Sequence, residues 1–243
     1  MQYWGLTDPG CVRAQNQDAY QMEELDRNTL LCAVCDGMGG AKSGNIASSL
    51  ALDVFVQEVR RMWTASMKQP QIDQMLRGAV KLANFTVYDQ ARQFEEFDGM
   101  GTTLVAVLVH GREVTVVNVG DSRAYGVNRN GIRRLTKDHS LVQMMVDRGE
   151  ITPEQARTYP GKNLITRAIG TEPTVLCDVF HTELERGDCL LLCSDGLSNM
   201  MDDQEILFEV VHGVNKQYCC RRLLEIAKNR GAPDNVTSVL VLA

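Results

Sequence analysis

Five aspartates carry most of the chemistry in this sequence, and four of them stand beside a short apolar run and a glycine, proline or asparagine. Asp36-Gly37-Met38-Gly39-Gly40 follows the run Leu30–Cys35, Gly120-Asp121-Ser122-Arg123 follows Glu113–Val119, and Ser194-Asp195-Gly196 follows Cys189–Cys193. Pro233-Asp234-Asn235 comes just before Val236–Leu242, and Asp18 closes the segment Arg13-Ala14-Gln15-Asn16-Gln17-Asp18. If the runs are β-strands, each puts a short carboxylate where a strand leaves the core, and glycine allows close backbone approach. A single Asp-Gly after a strand is usually only a turn. Several at one end of a fold would repel one another in a partly desolvated cleft and would need cations. Hard oxygen donors select Mg²⁺ or Mn²⁺ over zinc. The four histidines, His110, His139, His181 and His212, show no paired spacing for zinc either. Two such cations about 3.5–4 Å apart can turn a bridging water into a nucleophile and neutralise charge on a phosphoryl group. Arg13, close to Asp18 in the chain, has the planar fork that binds two phosphate oxygens at once.

The elements that must position these residues can be read from periodicity. Strands are expected at Leu30–Cys35, Thr102–Val109, Glu113–Val119, Arg123–Val127, Val175–Phe180, Cys189–Cys193 and Val236–Leu242, with a tight turn at Asn130-Gly131. Helical spacing predicts Ile46–Met67 and Ile72–Phe94 with Pro70 between them, then Leu141–Arg148, Gln204–His212 and Gln217–Arg230. Two long helices in succession, followed by a run of strands, do not fit a doubly wound parallel sheet. The order fits the α+β class, with antiparallel sheets covered by helix pairs. No linker, repeat or low-complexity tract interrupts residues 1–243, so one continuous domain is expected.

Composition narrows the field. With 243 residues, 44% apolar, the chain should bury roughly 70–75% of its unfolded surface and needs no disulfides to fold. A formal charge of −6 disfavours a nucleic-acid-binding surface. No stretch reaches the roughly 20 apolar residues of a membrane span, and the first residues lack a basic start followed by an apolar run. A soluble cytoplasmic protein, monomeric by default, is the expectation. Its eight cysteines then read as reduced thiols. Cys32 and Cys35 have C-x-x-C spacing, but residues three apart in a strand point to opposite faces and cannot share a zinc ion.

Taken in order, the motifs resemble the metal-dependent serine/threonine protein phosphatases of the protein phosphatase 2C type, most of all the compact bacterial members. The carrying segments begin with Thr7-Asp8-Pro9-Gly10-Cys11-Val12-Arg13, Asn16-Gln17-Asp18-Ala19 and Asp36-Gly37-Met38-Gly39-Gly40. They continue with Gly101-Thr102-Thr103, Asn118-Val119-Gly120-Asp121-Ser122-Arg123 and Asp138-His139-Ser140. Thr166-Arg167-Ala168-Ile169-Gly170, Ser194-Asp195-Gly196-Leu197-Ser198 and Asp234-Asn235-Val236-Thr237 complete the set. The resemblance implies a four-layer α-β-β-α sandwich, two antiparallel sheets flanked by helix pairs, with the metal centre at one end. It implies that Asp36 bridges two Mn²⁺ or Mg²⁺ ions, that the Gly37 carbonyl binds one, and that Asp195 and Asp234 complete the other site. Asp18 would hold waters on the metals, Asp121 with Asp195 would form a weaker third site, and Arg13 would bind phosphate. The segment from His139 to about Arg167 resembles a flap beside the cleft.

Three positions depart from the family pattern. Ala41 stands where many bacterial relatives carry a histidine proposed as general acid, Asn45 replaces a commonly acidic residue, and Gln17 stands where an acid is usual. His139, after Lys137-Asp138, suits a capping or hinge role better than that of a substitute acid.

The implied activity is hydrolysis of phosphoserine and phosphothreonine in proteins, by a metal-bridging water, opposing a bacterial Ser/Thr kinase. The alternative is a weak or inactive relative that binds phosphoproteins as a regulatory module. A two-metal phosphodiesterase is a third reading, although such enzymes usually bring histidines to the metal shell.

Overall fold

The computed structural model describes residues 1–40, 43–213 and 215–243. Among the described residues eleven strands build the two sheets: β1 (Gln2–Asp8), β2 (Asp18–Asp26), β3 (Thr29–Met38), β4 (Gly101–Thr102), β5 (Leu104–His110), β6 (Glu113–Val119), β7 (Arg123–Asn128), β8 (Gly131–Arg134), β9 (Asp178–Glu183), β10 (Cys189–Cys193) and β11 (Val236–Leu242). The helices are α1 (Gly44–Met62), α2 (Gln69–Gln93), α3 (Leu141–Asp147), α4 (Pro153–Thr158), α5 (Asp195–Ser198), α6 (Asp203–His212) and α7 (Cys219–Asn229). One sheet runs β1-β11-β10-β7-β8 and the other β2-β3-β5-β6-β9, with the short β4 paired to the end of β3. Every pairing is antiparallel.

Strand periodicity sorts the apolar side chains into layers. On β3, Leu30, Cys32 and Val34 pack against Leu190, Leu192, Val239 and Val241 of the opposite sheet. Their alternates Leu31, Ala33 and Cys35 pack against α1 and α2 through residues such as Phe55 and Leu76. Cys189, Leu191 and Cys193 of β10 face α6 and α7 in the same way. The result is helix pair, sheet, sheet, helix pair, as the resemblance implied. Cys32 and Cys35 point to opposite faces, and burial pushes both thiols upward. All eight cysteines are unpaired.

The helices follow their apolar stripes. On α1, Ala47, Ala51, Leu52, Phe55, Val56 and Val59 are buried at three-to-four spacing. This helix stops at Met62 rather than Met67, because Trp63 turns to extended backbone and its Nε1–H donates to Asp26 Oδ2 at 2.8 Å. Helix α2 begins at Gln69, so Pro70 lies inside its first turn and not between helices; the missing N–H is harmless there.

The expected strand Thr102–Val109 is broken at Thr103, whose N–H bonds to the Asp36 carbonyl at 2.9 Å. The strand expected at Val175–Phe180 is shifted to Asp178–Glu183. Arg77 of α2 takes the Cys177 carbonyl at 2.7 Å, so the segment before Asp178 packs on a helix and forms no ladder. Strands β1, β2 and β8 are absent from the sequence expectation. All three lie at a sheet edge and are only partly buried, and so lack a continuous apolar run.

Candidate active site

The expected aspartates converge on one end of the sandwich through backbone packing that only glycine permits. Asp36 sits near the end of β3, directly opposite Asp18 across the β2–β3 ladder. A Cβ on Gly37 would meet the Gly44 carbonyl oxygen at 2.0 Å and the Gln17 carbonyl oxygen at 2.7 Å. Hydrogen at this position lets the strand end abut the start of α1 and the loop before β2. The Asp36 backbone is fixed on both sides: its N–H donates to Thr103 Oγ1, and its carbonyl accepts from Thr102 Oγ1 and the Thr103 N–H, all at 2.9 Å. Asp195 opens the short α5. A Cβ on Gly196 would lie 1.9 Å from the Asn235 carbonyl oxygen, so only glycine brings this turn against the Asp234-Asn235 segment.

Asn235 is buried and staples the loop that carries Arg13. Its Nδ2 donates to the carbonyls of Pro9 and Gln15, each at 3.0 Å, and its Oδ1 accepts from the Gln17 N–H at 2.8 Å. Arg13 itself reaches back to Asp234 Oδ2 at 2.9 Å while remaining half exposed.

Arg13, Asp36, Gly37, Asp121, Asp195 and Asp234 therefore line one cleft of about 280 Å³, with Gln17, Met38, Gly39, Thr103, Asn163 and Ile165. Asp18 is buried behind it, 8% exposed. Asn163 and Ile165 come from the segment after α4, so the flap-like stretch forms one wall. Behind that wall a second cavity of about 560 Å³ shares Asp121, Asp195 and Asn163 with the cleft.

The electrostatics call for cations. Burial, and then the charges of Asp18, Asp195, Asp121 and Asp234, hold the Asp36 carboxyl well above the usual range. Asp195 is raised by burial and by Asp234, with Asp36 close enough to hydrogen-bond to it. Burial pushes Asp121 to about 8 and Asp18 to about 7, with neighbouring carboxylates adding to each. Asp18 Oδ1 is buried with no protein hydrogen-bond partner. Among the described residues no three His, Cys, Asp or Glu side chains close into a ready-made cation cage. The donor set is open, and cations here would draw on carboxylates, the Gly37 carbonyl and water, the hard-oxygen mixture that suits Mg²⁺ and Mn²⁺. The residues present fit such ions.

His139 lies outside the cleft lining. It is buried, its Nδ1 accepts the Gly120 N–H at 3.0 Å, and its Nε2 faces Asp178 Oδ2 at 3.2 Å. The Nδ1 acceptor fixes the proton on Nε2, and burial lowers the affinity for a second one. Its backbone ties both ends of the flap-like stretch, bonding to Gly120 at 2.9 Å and to Thr166 at 2.7 Å. Of the three departures, Gln17 lines the cleft and its Nε2 donates to the Gly40 carbonyl at 3.3 Å. Asn45 is exposed in the first turn of α1. Ala41 lies outside the described residues.

Motif reading assigned no role to Thr102, Thr103, Ser194, Asn235 or Thr237, although it singled out the segments that contain them. Their signal was a polar side chain adjoining an apolar strand, which becomes informative once it is seen to be buried.

Comparison with known proteins gives concordant results. A profile for protein phosphatase 2C matches residues 12–219. The chain is 36% identical over 235 residues to the serine/threonine phosphatase stp of Listeria welshimeri, covering 97% of this chain and 93% of that protein. Its structure resembles that of the serine/threonine phosphatase Stp1 from Staphylococcus aureus, with a TM-score of 0.94 at 38% identity over 100% of this chain and 94% of that one. The catalytic domain of the serine/threonine protein phosphatase PstP in complex with two manganese ions matches with a TM-score of 0.84 at 34% identity, over 98% and 96% of the respective chains.

Proposed function

This chain belongs to the protein phosphatase 2C family of metal-dependent serine/threonine phosphatases, and from that premise we propose that it hydrolyses phosphoserine and phosphothreonine in proteins using Asp36, Gly37, Asp195 and Asp234 to hold two Mn²⁺ or Mg²⁺ ions. The observation that carries the assignment is the single cleft in which Arg13, Asp36, Gly37, Asp121, Asp195 and Asp234 meet.

When bound, the cations activate water as a nucleophile and offset charge on the phosphoryl oxygens. The chain's own groups do the rest. Asp36, locked at its backbone by Thr102 and Thr103, would help to hold the cations. Arg13 turns from Asp234 toward two phosphate oxygens. Asp18 Oδ1, the unpartnered oxygen buried behind the cleft, would orient water held by the cations. Asp121 with Asp195 would hold a third, weaker ion. Water oxygen bonds to phosphorus, the ester P–O bond breaks, and the serine or threonine oxygen takes a proton. No histidine lines the cleft, so we assign that proton to water.

Residues 1–243 act in this reading as one catalytic domain, monomeric and cytoplasmic, on phosphoproteins made by a bacterial Ser/Thr kinase. No helix among the described residues is long and apolar enough to cross a membrane. A purely phosphoprotein-binding module would have no use for every carboxylate.

The test is hydrolysis of p-nitrophenyl phosphate and a phosphothreonine peptide with Mn²⁺, Mg²⁺ or EDTA, comparing wild type with Asp36→Asn and Asp195→Asn. Metal-dependent turnover abolished by both substitutions is expected. A folded protein that binds Mn²⁺ and turns over neither substrate would leave the binding module instead.

A further inference from the structure

Asp18 is held by a closed ring of hydrogen bonds whose polarity the geometry fixes. Thr237 Oγ1 donates to Asp18 Oδ2 at 2.6 Å, and Ser194 Oγ donates to the same oxygen at 2.7 Å. Because the single Thr237 hydroxyl proton is committed to the carboxylate, the 2.7 Å contact between Thr7 Oγ1 and Thr237 Oγ1 must be donated by Thr7. Asn16 Nδ2 donates in turn to Thr7 Oγ1 at 2.8 Å, while Asn16 Oδ1 accepts the backbone N–H of Asp18 at 3.1 Å and closes the ring. A cross-brace completes it, with the Thr237 N–H donating to Ser194 Oγ at 3.0 Å.

The ring spans the two sheets. Thr7 and Thr237 are register partners on β1 and β11, whereas Asp18 starts β2 in the other sheet opposite Asp36. Ser194 and Thr237 are fully buried, so water cannot replace a lost hydroxyl without a rearrangement of the core. All of the donors fall on one carboxylate oxygen. Oδ2 takes two hydroxyls, and Oδ1, equally buried, takes none.

We propose that Thr237 and Ser194 are positioning residues that clamp Asp18 by Oδ2, so that Oδ1 is presented in one fixed orientation to the cation site, and that Thr7 and Asn16 set the direction of the clamp. The inference rests on the reading of the cleft as a divalent-cation site. It assigns a task to four residues that touch neither cation nor substrate.

Isothermal titration of Mn²⁺ alone into metal-free protein tests it, with melting in EDTA recorded for each variant. Thr237→Val keeps the shape and removes the hydroxyl. It is expected to weaken Mn²⁺ binding by about 10- to 100-fold, the usual effect of removing a partner that orients a metal-site group. Thr237→Ser retains the hydroxyl and should recover most of the lost affinity even if its melting temperature drops. Ser194→Ala removes the other donor and makes the same test should Thr237→Val not fold. Wild-type affinity in a folded Thr237→Val or Ser194→Ala protein overturns the clamp, and so does equal weakening in Thr237→Ser and Thr237→Val. Failure of the wild type itself to bind Mn²⁺ would overturn the cation-site reading, and the clamp with it.

Discussion

Arg13 and Asp234, 221 residues apart in sequence, meet in a 2.9 Å ion pair at the mouth of the cleft. The group proposed for phosphate is thus parked on a group proposed for metal, and each limits the freedom of the other. The fork of Arg13 is half exposed, so the pair is only a modest contributor to stability. Its value is geometric, keeping the guanidinium over the carboxylates before substrate arrives.

Replacing Arg13 with alanine is expected to raise KM for p-nitrophenyl phosphate more than it lowers kcat. The loss in kcat/KM should be roughly 10- to 100-fold, the equivalent of about 1.5–3 kcal/mol for a hydrogen bond to a charged group. Arg13→Lys should recover little, because an ammonium cannot make the paired contacts of the fork. Steady-state kinetics at saturating Mn²⁺ would decide it, and a pure kcat effect would refute the binding role.

Metal-free protein should lose stability as pH rises toward 8. Asp18 and Asp121, pushed to about 7 and about 8, bind protons more tightly folded than unfolded. Their contribution is therefore fully present below the ordinary carboxylate value of 3.8 and is lost as pH climbs through the raised values. His139, lowered by burial, works in the opposite direction, but only below its ordinary 6.5. Glu205, held near 2 by Arg230, titrates lower still. The window from about 6.5 to about 8 isolates the cleft carboxylates. Melting in EDTA should fall across it and Mn²⁺ should reverse the fall; a rise in EDTA would contradict the repulsive cluster.

Asp36→Asn replaces a carboxyl that burial and its acidic neighbours push toward the neutral form. In EDTA near pH 8 the variant should melt higher than wild type, because the amide is neutral at every pH and folding no longer has to hold a proton on this group against its ordinary affinity. With Mn²⁺ the order should invert, since wild type alone gains binding energy from the ions. Calorimetric scans with and without Mn²⁺ would show the crossing. A variant less stable than wild type in EDTA would mean that Asp36 is structurally satisfied without metal.

His139→Ala should cost stability more than chemistry. It leaves the buried Gly120 N–H without its acceptor and removes the ring's contact with Asp178, while the backbone bonds to Gly120 and Thr166 remain, a loss of about 1–3 kcal/mol measurable by urea denaturation. With a phosphothreonine peptide, whose leaving oxygen needs a proton, kcat should stay within a few-fold of wild type. A general acid would account for roughly 10²–10⁴-fold. A fall of that size, with an altered acid–base limb in the pH–rate profile, would make His139 the missing acid.

The order of elements, the two helix pairs and the inward strand faces could be read directly from sequence, because a core-facing stripe imposes its period on residue type. Cys32 and Cys35 show this well: spacing alone put them on opposite faces, and they occupy different layers. The edge strands could not be read that way. Gln2–Asp8 and Asp18–Asp26 are half exposed and draw their definition from a neighbouring strand, which local patterning does not record.

The sequence by itself determined which residues could do chemistry. Aspartates set beside glycines at strand ends, with an arginine near the first, point to a hard-cation phosphate site. Tertiary structure alone decided that these side chains meet, and how. Whether Asp195 approaches Asp234 depends on a contact that an added Cβ on Gly196 would block at 1.9 Å. Whether Asp18 offers one oxygen or two depends on hydroxyls from β1, β11 and the residue before α5. Both are long-range relations, fixed by the packing of one sheet on the other, and a linear chain carries the residue types for them but not the distances.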